Sequence, residues 1–170
     1  MRGFSSLIPD RDIYQSPSGE HGREDSPHVT VKFGLHTDNQ EEVWSLFRGR
    51  DTVEVTLGQI TSFVNQDYVV LKIDIESKGL RELNRVISEE LRCTDKFPEY
   101  KPHATLAYLK HRPNDPDYWK KYCCGMFAGE RTYIDKFLFS TPSGKKSWHK
   151  APVSLAAKVA SSFIGERVWV

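Results

Sequence analysis

The chain has 170 residues (19.6 kDa), 38% of them hydrophobic and 28% charged, with four Trp, seven Tyr and nine Phe. That is enough for one ordinary domain or two small lobes sharing a cleft, and it excludes a disordered tail, a collagen-like chain and a low-complexity segment. A net charge of +1 and a pI of about 7.7 exclude a strongly basic nucleic-acid coat for duplex DNA, while a small anionic ligand in a local basic pocket fits.

The three cysteines, Cys93, Cys123 and Cys124, cannot close a disulfide framework. An odd count with an adjacent pair suits a reducing, cytoplasmic compartment. No apolar run reaches the ~18 residues of a membrane span, and no secretory h-region opens the chain.

In chain order, the first 27 residues are polar and rich in turn formers, with a short strand expected near Ile13-Tyr14. His28 to Leu35 alternates β-branched and aromatic residues and predicts a strand. Thr37-Asp38-Asn39 offers a cap for a helix at about Gln40 to Phe47, with Val43, Leu46 and Phe47 as its buried stripe. Val53–Leu57 and Gln59–Phe63 predict two short strands, and Tyr68–Ile75 a longer one. Lys78–Leu91 carries apolar residues at helical spacing (Leu80, Leu83, Val86, Ile87, Leu91), capped by Ser77. His103–Leu109 predicts a strand, Asp115–Tyr122 a short helix and Tyr133–Phe139 a further strand. The expected class is α+β. Residues 1–150 are expected to form one domain of two lobes, and residues 151–170 a C-terminal segment of uncertain role.

Two segments repeat one pattern, Pro-His-x-Thr-apolar-x-aromatic: Pro27 to Phe33 and Pro102 to Tyr108. Six His and nine Thr would give about 0.3 His-x-Thr matches by chance, and two matches with shared flanks are far less accidental than one. On a strand, residues i and i+2 share a face. His28 and Thr30 therefore point together, as do His103 and Thr105, while Val29, Val31 and Phe33, and Ala104, Leu106 and Tyr108, face the core. Copies 75 residues apart suggest two pseudo-symmetric lobes with the motif strands facing across a cleft. Imidazole is the side chain best suited to proton transfer near neutral pH. Two imidazoles on opposite sides of a phosphorus can serve as general base and general acid, with two hydroxyls donating to non-bridging oxygens. No metal or cofactor is called for. Neither His-Glu-x-x-His nor paired Cys-x-x-Cys is present.

These segments resemble the two-histidine (HxTx) phosphoesterase superfamily, which includes 2',5' RNA ligase-like proteins and cyclic phosphodiesterases. The likeness covers roughly residues 10 to 150. Glu24 to His36 and Phe97 to Tyr108 look like the phage anti-CBASS branch, whose members degrade cyclic di- and trinucleotide messengers of bacterial antiphage immunity. The resemblance implies a bilobal fold of antiparallel sheets with flanking helices. It also implies metal-independent attack of a ribose 2'-hydroxyl on the adjacent 3',5'-phosphodiester, with one His as base and the other as acid.

Three further residues suit the substrate. By strand parity Lys32 shares the face of His28 and Thr30 and can add a phosphate contact. Tyr14, in the N-terminal loops, and Trp148, in the basic turn expected over Gly144 to Lys150, can close over a nucleobase. Trp44 and Trp119 are expected to pack. The expected partner is a cyclic oligonucleotide or short RNA. Opening of 2',3'-cyclic phosphate ends, cutting of 2',5' linkages, and sequestration without cleavage remain the alternatives.

Overall fold

Apolar alternation along the chain builds an eight-stranded sheet among the described residues of the computed structural model. The structure describes residues 7–17, 19, 21–94, 97, 99–112, 117–153 and 167–169, the last three by their backbone alone. The strands are β1 (His28–Thr30), β2 (Val53–Val64), β3 (Val69–Glu76), β4 (His103–Leu109), β5 (Arg131–Ile134), β6 (Lys136–Ser140), β7 (Lys146–Lys150) and β8 (Arg167–Trp169). Their spatial order is β5-β2-β3-β4-β1-β8-β6-β7. Pairings are antiparallel except at β8, which runs parallel to both β1 and β6.

The seam between β4 and β1 divides the sheet into two four-stranded halves, so the α+β, two-lobed expectation holds. One detail is corrected. The two motif strands are hydrogen-bonded neighbours at the seam, with Val29 paired to Ala104, and do not face each other across a gap.

Among the described residues three α-helices accompany the sheet: α1 (Gln40–Ser45), α2 (Lys78–Glu90) and α3 (Tyr118–Cys123). Asn39 caps α1 by accepting from the Glu41 amide at 3.1 Å, and Ser77 caps α2 by accepting from the Leu80 amide at 3.2 Å. Leu80, Leu83 and Ile87 are the buried stripe of α2. Val43, Trp44 and Phe47 take that role at α1, with Leu46 only half-buried.

Both α1 and α2 lie on one face of the sheet. Gly79 opens α2 against β2, where a Cβ would fall 2.8 Å from Val53 Cγ1. Phe47 packs on Phe137 at 4.9 Å between ring centroids, and Trp44 stacks on His149 and donates to Ser147 Oγ at 3.1 Å. Val29, Ala104, Ile73 and Phe137 point into this covered face and are buried. Each large apolar side chain removed from water there contributes about 1.5–3 kcal/mol.

Five expectations differ in extent from the structure. The two short strands at 53–63 are one strand, β2, with a bulge between Leu57 and Ile60. The predicted strand at 133–139 breaks at Asp135, and its two parts, β5 and β6, pair on opposite halves of the sheet. The stretch at 146–150, expected as a turn, is strand β7, in a hairpin with β6 that turns at Gly144 (φ 85°). β1 ends at Thr30, and Phe33, expected in the core, is 60% exposed. The expected strand near Ile13 is an isolated bridge to Leu109, and the start of the helix expected at Asp115 lies outside the described residues.

Candidate active site

The pairing of Val29 with Ala104 dictates the site. Antiparallel register then sets His28 beside Thr105 and Thr30 beside His103, all four on the face that α1 and α2 leave uncovered. Side chains directly opposite stand about 4.5–5.5 Å apart at Cβ, and diagonal neighbours such as His28 and His103 about 7–8 Å apart. Thr30 is exposed; His28, His103 and Thr105 are half-buried. All four residues expected from the motif are brought together.

The two imidazoles are held by the same device. His28 Nδ1 donates to the Ser26 carbonyl at 3.2 Å, and His103 Nδ1 to the Lys101 carbonyl at 2.8 Å. Each acceptor lies two residues back, just before a proline, where the chain is biased to extended geometry. A carbonyl only accepts, so Nδ1 carries a proton and the lone pair of the neutral ring lies on Nε2. Burial pushes the His28 imidazole below its ordinary value of 6.5. The Ser26 hydrogen bond and the Glu24 carboxylate pull it back up, and His103 pushes it down.

The next strand adds residues that the sequence analysis missed. Lys72 of β3 is the ladder partner of Thr105, and Asp74 of His103, so both share the face of the imidazoles. Thr61 of β2 stands opposite Lys72. Lys72 Nζ donates to Thr61 Oγ1 at 2.8 Å and also to Asp74 Oδ1, and Thr61 Oγ1 donates to Asp74 Oδ1 at 3.1 Å. The signal was present in Tyr68–Ile75: Lys72 and Asp74 sit two apart among apolar neighbours, which places them together on one face.

A register shift between Leu71 and Lys72 turns Tyr108 from its expected core position to this same face, opposite Val70. Tyr108 lies about 10 Å along β4 from Thr105. His21 stacks on it at 4.5 Å, and Tyr14 packs on Tyr68 at 5.2 Å, so Tyr14 belongs to an aromatic cluster at this end of the face. Trp148 is reached by register in the other direction. Thr30, Trp169, Leu138 and Trp148 form one row across β1, β8, β6 and β7. Trp148 is 51% exposed on the site face, about 14 Å from Thr30 by strand spacing. Lys136 and Lys150, a ladder pair on the same face, add positive charge to that half.

Lys32 is a correction. Parity fails because β1 stops at Thr30. The Lys32 side chain turns to the covered side, is 5% exposed, and donates to Ser88 Oγ of α2 at 2.6 Å. Asn84 of α2 holds the same stretch by donating to the Val31 carbonyl at 2.6 Å. A separate concavity, lined by Arg50, Glu54, Ser77, Lys78 and Arg131 among others, shares no residue with the four motif side chains.

Two imidazoles and two hydroxyls on adjacent central strands of a two-lobed α+β sheet define a phosphoesterase class with paired histidines. The model of the 2'-5' RNA ligase superfamily matches residues 11–131, and the chain belongs to that superfamily. No curated protein matches it. Among the described residues no helix is long and apolar enough to cross a membrane.

Proposed function

We propose that this chain is a metal-independent phosphodiesterase that opens 3',5' bonds of cyclic di- and trinucleotide messengers, and so counters the antiphage immunity that uses them. The observation that carries the chemistry is the placement of His28, Thr30, His103 and Thr105 together at the sheet's seam, on the face opposite α1 and α2. His28, kept neutral by burial, accepts the proton of a ribose 2'-hydroxyl through Nε2. The 2'-oxygen attacks the adjacent phosphorus, the bond to the 5'-oxygen breaks, and His103, entering as the imidazolium with a proton on each nitrogen, gives its Nε2 proton to that oxygen. The product carries a 2',3'-cyclic phosphate at one end and a free 5'-hydroxyl at the other. Thr30 and Thr105 donate to the non-bridging oxygens, whose charge rises in the transition state.

Two aromatic regions flank this centre, with Tyr14 at one end and Trp148 at the other. They suit a ligand that presents more than one base, because base stacking contributes about 1–3 kcal/mol per base. The superfamily match supports a second reading, in which the substrate is an RNA end bearing a 2',3'-cyclic phosphate or a 2',5' linkage.

The test is mass spectrometry of products from a panel of cyclic di- and trinucleotides, alongside RNA with a 2',3'-cyclic end and a 2',5'-linked dinucleotide, all in excess EDTA. Linearised products ending in a 2',3'-cyclic phosphate are expected. Turnover confined to the RNA ends favours the second reading. Intact cyclic ligand recovered from a tight complex, with no turnover of any substrate, rejects catalysis in favour of sequestration. Activity lost to the chelator rejects the metal-independent mechanism.

A further inference from the structure

We propose that Lys72 binds a second substrate phosphate, next to the one held by the imidazoles. This rests on the phosphodiesterase reading and deepens it, because it assigns the site to ligands carrying at least two phosphates.

The register places the ammonium. Lys72 and Thr105 are ladder partners on β3 and β4. With strands about 4.8 Å apart, the Lys72 backbone lies about 7 Å from the midline between β4 and β1, where the reacting phosphate would sit. Thr61 holds the ammonium from β2, on the side of β3 away from the seam, so it stays over β3 and does not reach across to the reacting phosphate. That separation is close to the interval between successive phosphates of an oligonucleotide.

The surroundings of Lys72 favour an anion. Val69, Val70, Leu71, Ile73 and Ile75 of β3 are all buried around it, and Asp74 is the polar residue of β3 that it meets. A purely structural ion pair in such a strand gains little over aliphatic packing. The pair is also uneven: the Lys72 side chain is 17% exposed and that of Asp74 is 44% exposed. Asp74 can therefore turn to water while Thr61 keeps the ammonium in place. Two of its three N–H bonds go to Thr61 and Asp74. Among the described residues no third acceptor meets it. An ammonium is a compact point charge whose donors rotate, which suits a phosphate arriving from the open side.

The experiment uses the full chain with His28→Ala, which stops turnover so that equilibrium binding can be read. The probes are a cyclic dinucleotide, with two phosphates, and the linear dinucleoside monophosphate, with one. Lys72→Gln is expected to weaken the cyclic ligand about ten-fold or more beyond its effect on the linear one. Asp74→Asn, which removes the competing carboxylate and keeps the ammonium, is expected to hold or tighten binding of the cyclic ligand. The proposal is overturned if Lys72→Gln changes both ligands alike or neither, if both variants weaken both ligands together with a fall in Tm, or if neither ligand binds. Turnover by the unmodified chain is a separate readout. Binding that depends on Lys72 without any cleavage sinks the phosphodiesterase reading alone. Cleavage with binding indifferent to Lys72 sinks this proposal alone.

Discussion

Val29 of β1 is the ladder partner of Ala104 of β4. That one pair joins the two halves of the sheet and sets two imidazoles and two hydroxyls on the same face. The Pro-His-x-Thr repeat is thus used twice around one point, and each histidine is oriented by the carbonyl two residues before it. A site on two adjacent central strands is rigid, because each side chain is fixed by a backbone that both neighbours hold.

Removing either imidazole is expected to slow cleavage strongly. His28→Ala and His103→Ala should each lower kcat by about 10²–10⁴-fold, the usual range for a general acid or base. The double variant should lose less than the product of the two, since groups acting in one displacement are not additive. Thr30→Val and Thr105→Val should cost up to about 10²-fold, mainly in kcat. Single-turnover rates with the best substrate of the panel check all five. Full activity in His103→Ala would remove the acid from the mechanism.

Acid should switch the enzyme off through His28. Its pKa is lowered in the folded chain, chiefly by burial, so the neutral form persists below pH 6.5. The acid limb of kcat/KM is then expected below pH 6.5 and should disappear from the residual rate of His28→Ala. The same shift bears on stability. A depressed folded pKa means that the unfolded chain binds the proton first, so the contribution is fully present above pH 6.5 and is lost as pH falls through the folded value. Tm measured from about pH 7.5 down to about pH 5 should therefore fall less in His28→Ala than in the unmodified chain.

The four motif residues were legible because strand parity is local. His-x-Thr puts its polar pair on one face whatever the strand pairs with. β4 was legible end to end for the same reason, and α2 because helical spacing and the Ser77 cap agree. Lys32 failed because parity holds only while the strand lasts. Gly34, at φ 75°, turns the chain toward Thr94, whose amide donates to the Gly34 carbonyl at 2.9 Å. A Cβ at Gly34 would fall 2.7 Å from the Thr94 carbonyl oxygen. The break at Asp135 is likewise tertiary: its carbonyl accepts from Ala151 at 2.8 Å, between strands that pair on opposite halves. Lys72 and Asp74 were visible as a face of β3, but their place beside β4 depends on strand order, which a single sequence does not supply.

Ser77 holds two elements at once. Its Oγ accepts from the Leu80 amide at 3.2 Å and donates to the Glu54 carbonyl of β2 at 2.6 Å. Ser77→Ala should lower unfolding stability by about 1–2 kcal/mol, the size of a lost N-cap. The position is away from the motif residues, so kcat of the folded fraction is expected to hold. Urea unfolding with an unchanged m-value checks the stability term.

Trp148 and Tyr14 separate two ways of reading the aromatic ends. If each stacks a base, truncation should raise KM more than it lowers kcat, by about 1–3 kcal/mol per base, or roughly 5- to 150-fold. The loss should be larger for a substrate with bases at both ends than for a mononucleotide 2',3'-cyclic phosphate, which cannot span from the seam to β7. Trp148 is already half-exposed on an edge strand, so Trp148→Ala should leave Tm nearly unchanged. Tyr14 is engaged with Tyr68, so Tyr14→Ala should lower Tm as well as affinity, whereas Tyr14→Phe should keep both. Equal KM changes for long and short substrates in Trp148→Ala would confine substrate to the seam, because an aromatic about 14 Å away can act only on a ligand long enough to reach it.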